Sequence, residues 1–364
     1  SVEGASWFGA RTCDDVPADL RKRWEGDANA TLYRRLAFDE EREHVLAAMD
    51  ARGLSYLPLK GILVADYYPR PEMRSMADND ILYGFVESDG VGGFRVRGAT
   101  EGERKRSVRE ATRVMADIME ARGYKAVSLG KGNHDSFHRE PLFNFEMHRR
   151  LVSPASPHAA YYENPWRHAV QDACSPLSFS FSGEDEYVYL LVHAFKHFDV
   201  SGCGIRFVVD MFVFLQRKGT ELDRAYVDTQ LSELGLADFE QQVRKLAERA
   251  FGEAGEMNAG DERLLLHLLG CGTYGNVAVR VERDVTRLRG EGVKGEAGDL
   301  GAAKRRYVLG RVFMDEAHMR EAYPAFYRHR ILRPVLPLFR ICKGLVKNRR
   351  KLINELRELW RLDG

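Results

Sequence analysis

Two aspartates stand two residues apart in the stretch LPLKGILVADYYPRPEMRSMADNDILYG, residues 57–84. They are Asp78 and Asp80, and the apolar run after them predicts a buried strand. Side chains two residues apart in a strand point to the same face, so the two carboxylates are expected to project together. An isolated Asp-x-Asp pair at the end of a strand is usually a solvated turn. A catalytic or metal-binding role for this pair therefore depends on the residues around it.

A third carboxylate lies in the segment LFNFEMH, residues 142–148. This segment alternates between an apolar set and a polar set, which are Phe143, Phe145 and Met147 on one face and Asn144, Glu146 and His148 on the other. If the two strands are neighbours, Glu146 joins Asp78 and Asp80 in one cluster. Carboxylates held close together repel each other, and a magnesium ion removes that cost. Two such ions, about 3.5–4 Å apart, are a common arrangement for phosphoryl transfer.

Two cationic residues and a glycine precede the aspartates in the sequence. Lys60 and Gly61 stand where the first predicted strand runs into a short helix, and a glycine there lets backbone N–H groups approach an anion. Arg74 precedes Asp78 by four residues and has the geometry for a bidentate phosphate contact. A lone lysine or arginine is usually a surface cation. In this order, however, the turn, the two aspartates and the later glutamate form a coherent phosphate and metal set.

The order of these segments resembles the nucleotidyltransferase superfamily that includes DNA polymerase beta and the aminoglycoside nucleotidyltransferases. LKGILVADYYPRPEMRSMADNDIL in particular is similar to the bacterial uncharacterised nucleotidyltransferase family, with its Lys-Gly, Tyr-Pro and Arg-x-x-x-Asp-x-Asp pattern. The resemblance places Lys60 and Gly61 at the triphosphate turn and Arg74 at the hallmark arginine. It places Asp78 and Asp80 at the metal-binding pair. Glu146 falls at the third carboxylate, in a segment, FEMHRRL, that resembles the family's Glu-x-His-Trp.

The resemblance extends over about residues 28–345. His148 matches a hallmark histidine, and the helical segment LLVHAFKHFDV resembles the family's His-x-x-Lys-His. It suggests that His148, His193, Lys196 and His197 are cleft or acceptor contacts. His193 and His197 lie one helical turn apart, but Lys196 between them and the lack of an obvious third ligand argue against zinc. By contrast, His134 is expected to be a surface residue on a strand edge.

The sequence departs at three places from the patterns of the wider superfamily or of the narrower family. Lys60-Gly61 replaces the Gly-Ser of the wider superfamily, which removes a serine contact to phosphate. Asn79 replaces an apolar residue between the aspartates, and Arg149 stands where the family tends to have tryptophan. None of these changes removes a carboxylate.

The predicted fold class is α+β, with a small mixed sheet flanked by helices and a larger all-helical C-terminal part. The predicted boundaries are N-terminal helices over 1–52, a nucleotidyltransferase core over 53–155, a helical domain over 156–289, and a linker with C-terminal helices over 290–364. A hairpin turn is expected at residues 130–133, a helix over about 104–122, and a long glycine-rich loop over 87–103.

Bulk properties exclude several classes of protein. Hydrophobic residues make up 44% of the chain and charged residues 30%, as in ordinary globular proteins. The net charge of +1 disfavours a long nucleic-acid partner. The five cysteines are dispersed with no Cys-x-x-Cys spacing, which predicts reduced thiols and a cytoplasmic location. No apolar run is long enough to span a membrane, and the first residues lack the pattern of a signal peptide.

The C-terminal segment FRICKGLVKNRRKLINELRELWRL is a basic amphipathic helix by its spacing. Such a helix can bind an anionic membrane or a phosphate-rich partner weakly. The sequence favours the simpler interpretation, in which the helix packs on its own domain and its basic face is solvated.

The function implied by the resemblance is magnesium-dependent transfer of a nucleoside monophosphate from an NTP, with ATP the expected donor, to an acceptor, with release of pyrophosphate. Glu146 is either a metal ligand or the general base. Two alternatives are a non-catalytic descendant that binds nucleotide or protein, and a metal-dependent phosphohydrolase. The sequence leaves open the acceptor, the base preference and the oligomeric state.

Overall fold

The structure is a computed structural model that describes residues 16–253, 255–272, 275–290, 299–314, 316, 319, 322–347 and 349–362. The chain divides into two compact units. The first unit consists of Ser1–Leu191 and Asp210–Gln241, and the second of Val192–Val209 and Gln242–Gly364.

The strands of the described residues are β1 (Ser55–Pro58), β2 (Asn79–Gly84), β3 (Val86–Ser88), β4 (Phe94–Val96), β5 (Lys125–Ser128), β6 (His134–Arg139), β7 (Phe143–His148), β8 (Ala169–Gln171) and β9 (Phe179–Phe181). The helices are α1 (Ala18–Asp50), α2 (Gly61–Tyr67), α3 (Glu101–Ala121), α4 (Gly183–Ser201), α5 (Arg206–Lys218), α6 (Arg224–Glu233), α7 (Ala237–Phe251), α8 (Ala259–Cys271), α9 (Val277–Gly290), α10 (Leu300–Val312), α11 (Pro324–Arg328), α12 (Leu336–Lys347) and α13 (Arg349–Arg361). Short 3-10 helices span Pro71–Met73 and Arg330–Val335.

Five strands form one mixed sheet in the order β1-β2-β7-β6-β5. β2 runs parallel to β7, and the other neighbouring pairs are antiparallel. The register of the parallel pair sets Asp80 opposite Glu146 and Leu82 opposite His148. Since paired residues lie on the same face of a sheet, this register brings the carboxylates of two distant segments together.

One face of the sheet is the core of the first unit. Phe145 and Met147 from β7 and Ile81 from β2 are fully buried there, as the alternation of the sequence predicts. Helices α1 and α3 cover this face with apolar residues. The same alternation turns Asp80 and Glu146 to the other face.

Local sequence explains the boundaries of several elements. Helix α3 begins after a capping box in which the hydroxyl of Thr100 accepts from the N–H of Glu103 at 3.2 Å and the Glu103 carboxylate accepts from the N–H of Thr100 at 3.0 Å. The expected hairpin joins β5 and β6, with Gly130 and Gly132 at positive φ.

The expected loop over residues 87–103 is wrong in part. Val86–Ser88 pairs with Phe94–Val96 as an antiparallel hairpin. Its turn is held by Asp89, whose carboxylate accepts from the N–H groups of Val91 and Gly93 at 2.9 Å. Side-chain capping of a turn by aspartate supplies the order that the glycines of this segment do not.

The α+β prediction is confirmed by this mixed sheet and by the helical C-terminal part. Among the described helices, none is long and apolar enough to cross a membrane. The four cysteines of the described residues, Cys174, Cys203, Cys271 and Cys342, are free thiols.

The carboxyl group of Glu186 is expected to make the stability of the first unit depend on pH. Its side chain is buried, and one carboxylate oxygen accepts from the hydroxyl of Tyr67 at 2.7 Å. Burial raises the pKa of Glu186 to about 7, against a lowering by the Tyr67 hydrogen bond and by Lys218. A carboxyl whose pKa is raised on folding stabilises the native state below its unfolded pKa, and this stabilisation is lost as the pH rises through 7.

We therefore expect Glu186→Gln to keep the Tyr67 contact and to flatten the decline in stability between pH 5 and pH 8. At pH 8 the variant should be more stable by an amount of order 3 kcal/mol. Urea unfolding at a series of pH values measures this, with the exposed Glu163→Gln as the control. A variant as pH-sensitive as the parent chain would contradict the prediction.

Candidate active site

The sheet face opposite the core holds the three predicted carboxylates. Asp78 immediately precedes β2, Asp80 is its second residue, and Glu146 lies in the neighbouring β7. One carboxylate oxygen from each lies within 4.8 Å of those of the other two. Asp80 is buried, whereas Asp78 and Glu146 are half-buried, so the cluster is open on one side. This donor set consists of oxygens alone, which is what magnesium prefers.

Asp80 is held from two sides by nitrogen donors. The Lys60 ammonium donates to Oδ1 at 2.8 Å, and Nε2 of His148 lies 2.7 Å from the same oxygen. Burial alone would raise the pKa of Asp80, but the Lys60 charge and the His148 hydrogen bond outweigh it and hold the pKa well below its usual range. Asp80 is therefore a fixed anion whose position is set by Lys60 and His148.

His148 is a neutral hydrogen-bond donor in this arrangement. Burial and the Lys60 charge lower its pKa to about 4, although Asp80 opposes them. A neutral ring that donates from Nε2 to Asp80 has its lone pair on Nδ1, and Nδ1 lies 3.4 Å from the side-chain amide of Asn133. His148 thus orients Asp80 and adds no charge to the site.

Glu146 is in a different electrostatic position. Burial raises its pKa to about 7, and the neighbouring Asp80 and Asp78 charges add to that effect, while Lys60 opposes it. The three carboxylates therefore hold more negative charge than Lys60 offsets. Such a cluster is stabilised by a bound cation.

Lys60 has an unusual backbone conformation. Its φ is 51° and its ψ is −115°, close to the first central residue of a type II′ turn, a position normally occupied by glycine. The N–H of Ile62 donates to the carbonyl of Leu59 at 3.3 Å across this turn. A side chain at positive φ costs of order 1–3 kcal/mol, so packing and the Asp80 ion pair must hold Lys60 there.

Arg74 contacts the same turn through its guanidinium group. Its guanidinium binds both carboxylate oxygens of Asp210, at 2.8 and 3.0 Å, and donates to the carbonyl of Gly61 at 3.0 Å. The Tyr68 hydroxyl donates to Asp210 at 2.7 Å. A Cβ atom on Gly61 would lie 3.0 Å from the guanidinium, so the close approach explains the glycine. The phosphate contact predicted for Arg74 stays a prediction, since Asp210 occupies its bidentate edge here.

The amino-acid sequence matches one protein-family model over most of its length. The model described as uncharacterised nucleotidyltransferase matches residues 9–85 and 108–252, which include the turn and all three carboxylates. The chain belongs to this nucleotidyltransferase family. No curated protein and no solved structure matches it.

The helical histidine segment lies in α4. Nε2 of His193 is 3.2 Å from Nε2 of His197, and Lys196 is exposed. All three belong to the second compact unit, whereas the carboxylates belong to the first. Their role as cleft or acceptor contacts stays a prediction.

Two further residues lie at the candidate site and were not predicted from the sequence. His134 is half-buried, with Nε2 3.7 Å from a Glu146 oxygen, because β6 pairs it directly with His148. The same strand alternation that identified Glu146 could have found it. Tyr189 is buried near Lys60, Asp80 and Glu146; burial and the two carboxylates raise its pKa to about 12, while Lys60 opposes them. Nothing in the local sequence of α4 signals that proximity.

His134, Glu146 and His148 form a second group whose ligand atoms lie within 4.8 Å of one another. It shares Glu146 with the carboxylate cluster. Nitrogen donors favour transition metals over magnesium. Because Nε2 of His148 is directed at Asp80, the three carboxylates are the better candidate for a metal site.

Loss of Arg74 should destabilise the first unit. Arg74→Met leaves the partly buried Asp210 carboxylate, 14% exposed, with Tyr68 as a hydrogen-bond donor and no cation in the bidentate position, and we expect a loss of about 3 kcal/mol. Arg74→Met combined with Asp210→Leu should lose less than the single variant, because the uncompensated charge is gone. Urea unfolding measures both, with the exposed Arg217→Met as the control. A single variant as stable as the control would contradict the role of Arg74.

Proposed function

We propose that the chain transfers a nucleoside monophosphate from an NTP, with ATP as the expected donor, to an acceptor, and releases pyrophosphate. The observation that supports this most strongly is the convergence of Asp78, Asp80 and Glu146 within 4.8 Å in a chain of the nucleotidyltransferase family. Two segments separated by more than sixty residues supply these carboxylates. The dispersed free thiols are consistent with a cytoplasmic setting.

The donor chemistry of the cluster fits magnesium. Asp78, Asp80 and Glu146 would hold it, and two ions are expected in the reaction. When bound, magnesium neutralises negative charge on the triphosphate and on the carboxylates. Lys60 and His148 both contact Oδ1 of Asp80 and hold its carboxylate in place beside the other two.

The residues of the chain then have separate tasks. Lys60 and His148 fix Asp80, and Arg74 fixes the carbonyl of Gly61 and with it the turn before α2. Backbone N–H groups at this turn and the Lys60 charge would face the triphosphate. Glu146 acts either as a ligand or as the base that takes the proton from the acceptor hydroxyl or amine.

The attack is proposed to be direct, with no covalent intermediate on the protein. The acceptor oxygen or nitrogen forms a bond to the α-phosphorus, the bond to the bridging oxygen breaks, and pyrophosphate leaves. The acceptor proton goes to Glu146 or to solvent. A nucleotidylated form of the protein, trapped without acceptor, would overturn this order of events.

The test is incubation of the full chain with magnesium and each α-labelled NTP in the presence of candidate acceptors. Pyrophosphate release with labelled acceptor supports transfer. Orthophosphate release alone would indicate a phosphohydrolase, and tight binding of NTP without turnover would indicate a non-catalytic descendant of the fold. Either of these results would overturn the proposal.

A further inference from the structure

Residues 328–361 contrast in charge with the rest of the chain. They contain eleven lysines and arginines and two glutamates, a net charge of +9, whereas the whole chain has a net charge of +1. The nucleotidyltransferase match ends at residue 252, so the proposed transfer reaction leaves this segment without a role. Helices α12 and α13 make up most of it.

Helix α12 is fixed to its own unit by one face. Leu336 is buried, and the Arg340 guanidinium donates to the carbonyl of Val312, the last residue of α10, at 3.1 Å. These two residues lie four apart, on the same side of the helix. Leu336 and Arg340 therefore mark the inner face of α12, and Phe339 on its flank packs against the ring of Phe326 at 5.3 Å between centroids.

The outer face of α12 is apolar and exposed. Leu338 is 63% exposed, Leu345 is 54% exposed, and Ile341 between them is also exposed. The spacing of three and four residues puts them in one stripe. Ile331, in the preceding 3-10 helix, is 90% exposed. The prediction from the sequence was a helix packed on its own domain with a solvated basic face. The segment does contact its own unit through Leu336 and Leu359, but Ile341 and Leu345 are exposed.

Helix α13 repeats this arrangement. Its inner face is held by Glu355, which accepts from the Tyr307 hydroxyl at 3.0 Å and pairs with Arg280 and Arg311, and by the buried Leu359. Its outer face presents Ile353, Leu356 and Trp360, the last 75% exposed. Arg349, Arg350 and Lys351 at its start are exposed as well. Exposed apolar stripes of this size beside a concentration of positive charge mark an interaction surface.

We propose that the outer faces of α12 and α13 bind an anionic membrane surface, with both helices lying in the interfacial plane. Apolar side chains and a tryptophan beside lysine and arginine are the composition of interfacial helices. The net charge of +9 attracts anionic headgroups and opposes pairing with the same face of a second copy. This surface is independent of the transfer reaction, and either proposal can fail without the other.

The experiment is cosedimentation of the full chain with phosphatidylcholine vesicles, with and without about one-third phosphatidylglycerol. We expect binding to the anionic vesicles alone, weakened about tenfold when salt is raised from about 0.1 to about 0.5 M. Leu338→Asn with Leu345→Asn should weaken binding about tenfold or more. Arg349→Gln, Arg350→Gln and Lys351→Gln together should weaken it about a hundredfold at low salt.

Matched controls come from exposed positions elsewhere. Arg106→Gln, Arg109→Gln and Arg113→Gln on α3 remove the same charge, and Val91→Asn removes an apolar side chain that is 90% exposed. Neither control should change binding by more than about twofold. Trp360 supplies a second readout, because its fluorescence should shift to the blue on anionic vesicles and the shift should vanish in Trp360→Phe.

Four outcomes would overturn the proposal. The first is equal binding to neutral vesicles, and the second is no binding to either kind. The third is a dimer in light scattering that Leu338→Asn with Leu345→Asn dissociates, since a second copy would then cover the face. The fourth is binding to duplex DNA with no binding to vesicles. Thermal unfolding by circular dichroism confirms that each variant is folded.

Discussion

Glu146→Gln and Asp78→Asn should each lower the rate of nucleotidyl transfer by about 10³-fold, whether the side chain acts as a ligand or as a base. Both changes remove one negative charge and keep the shape of the side chain. Because Asp78, Asp80 and Glu146 crowd like charges within 4.8 Å, removing one relieves repulsion. We therefore expect melting temperatures no lower than that of the parent chain. Loss of activity without loss of stability separates chemistry from misfolding.

The control for this pair is Glu120→Gln, an exposed carboxylate on α3, which should leave the rate unchanged. Raising magnesium distinguishes the two roles of Glu146. A lost ligand should be compensated in part by more metal, whereas a lost base should not. A Glu146→Gln variant as active as the parent chain would show that Glu146 has no role in the transfer reaction.

At position 60 a glycine should give a more stable protein than an alanine, which is the reverse of the usual order. Lys60→Ala and Lys60→Gly both remove the cation that pairs with the buried Asp80 at 2.8 Å, and we expect transfer to fall about 10²-fold or more in each. In an ordinary helix or strand glycine is the less stable of the two. At φ 51° alanine has the same steric cost as lysine and glycine has none, so Lys60→Gly should be more stable by about 1 kcal/mol.

Unfolding in urea at fixed pH measures this difference. The control is the same pair of substitutions at Lys105, an exposed residue in the interior of α3, where alanine should be the more stable by about 1 kcal/mol. If alanine were also the more stable at position 60, the positive φ would not be a property of the native turn. The two results together would show that this site accepts backbone strain to place an ammonium against Asp80.

The sequence predicted the central elements of the site by periodicity. Strict alternation in residues 143–148 separated the core face of β7 from the face of Glu146, because side chains in a strand alternate whatever the rest of the fold is. The hairpin at residues 130–133 followed from its glycines for a similarly local reason. The prediction of a loop over residues 87–103 was wrong in part because the Asp89 side chain orders a turn there. The glycine-rich composition of the segment gave no sign of that turn.

The partners of the cations could not be read from the sequence. Lys60 and Arg74 both suggested phosphate contacts, and they bind Asp80 and Asp210, which are 20 and 136 residues away. Asn79 is likewise fully buried beside Arg42 of α1, which donates to it at 3.2 Å. A long charged side chain can reach several partners, and which one it meets depends on how distant helices dock.

By itself, the sequence predicted that the side chains of Asp78 and Asp80 project together, that Glu146 lies on the polar face of another strand, and that residues 339–362 are basic and amphipathic. These properties follow from the period of a strand or helix and need no neighbours. Only the tertiary structure decided that β2 lies beside β7 in the register that joins the carboxylates, and that α12 and α13 turn apolar stripes outward. Register and helix orientation are set by packing between segments far apart in the chain, and periodicity within one segment contains no information about them.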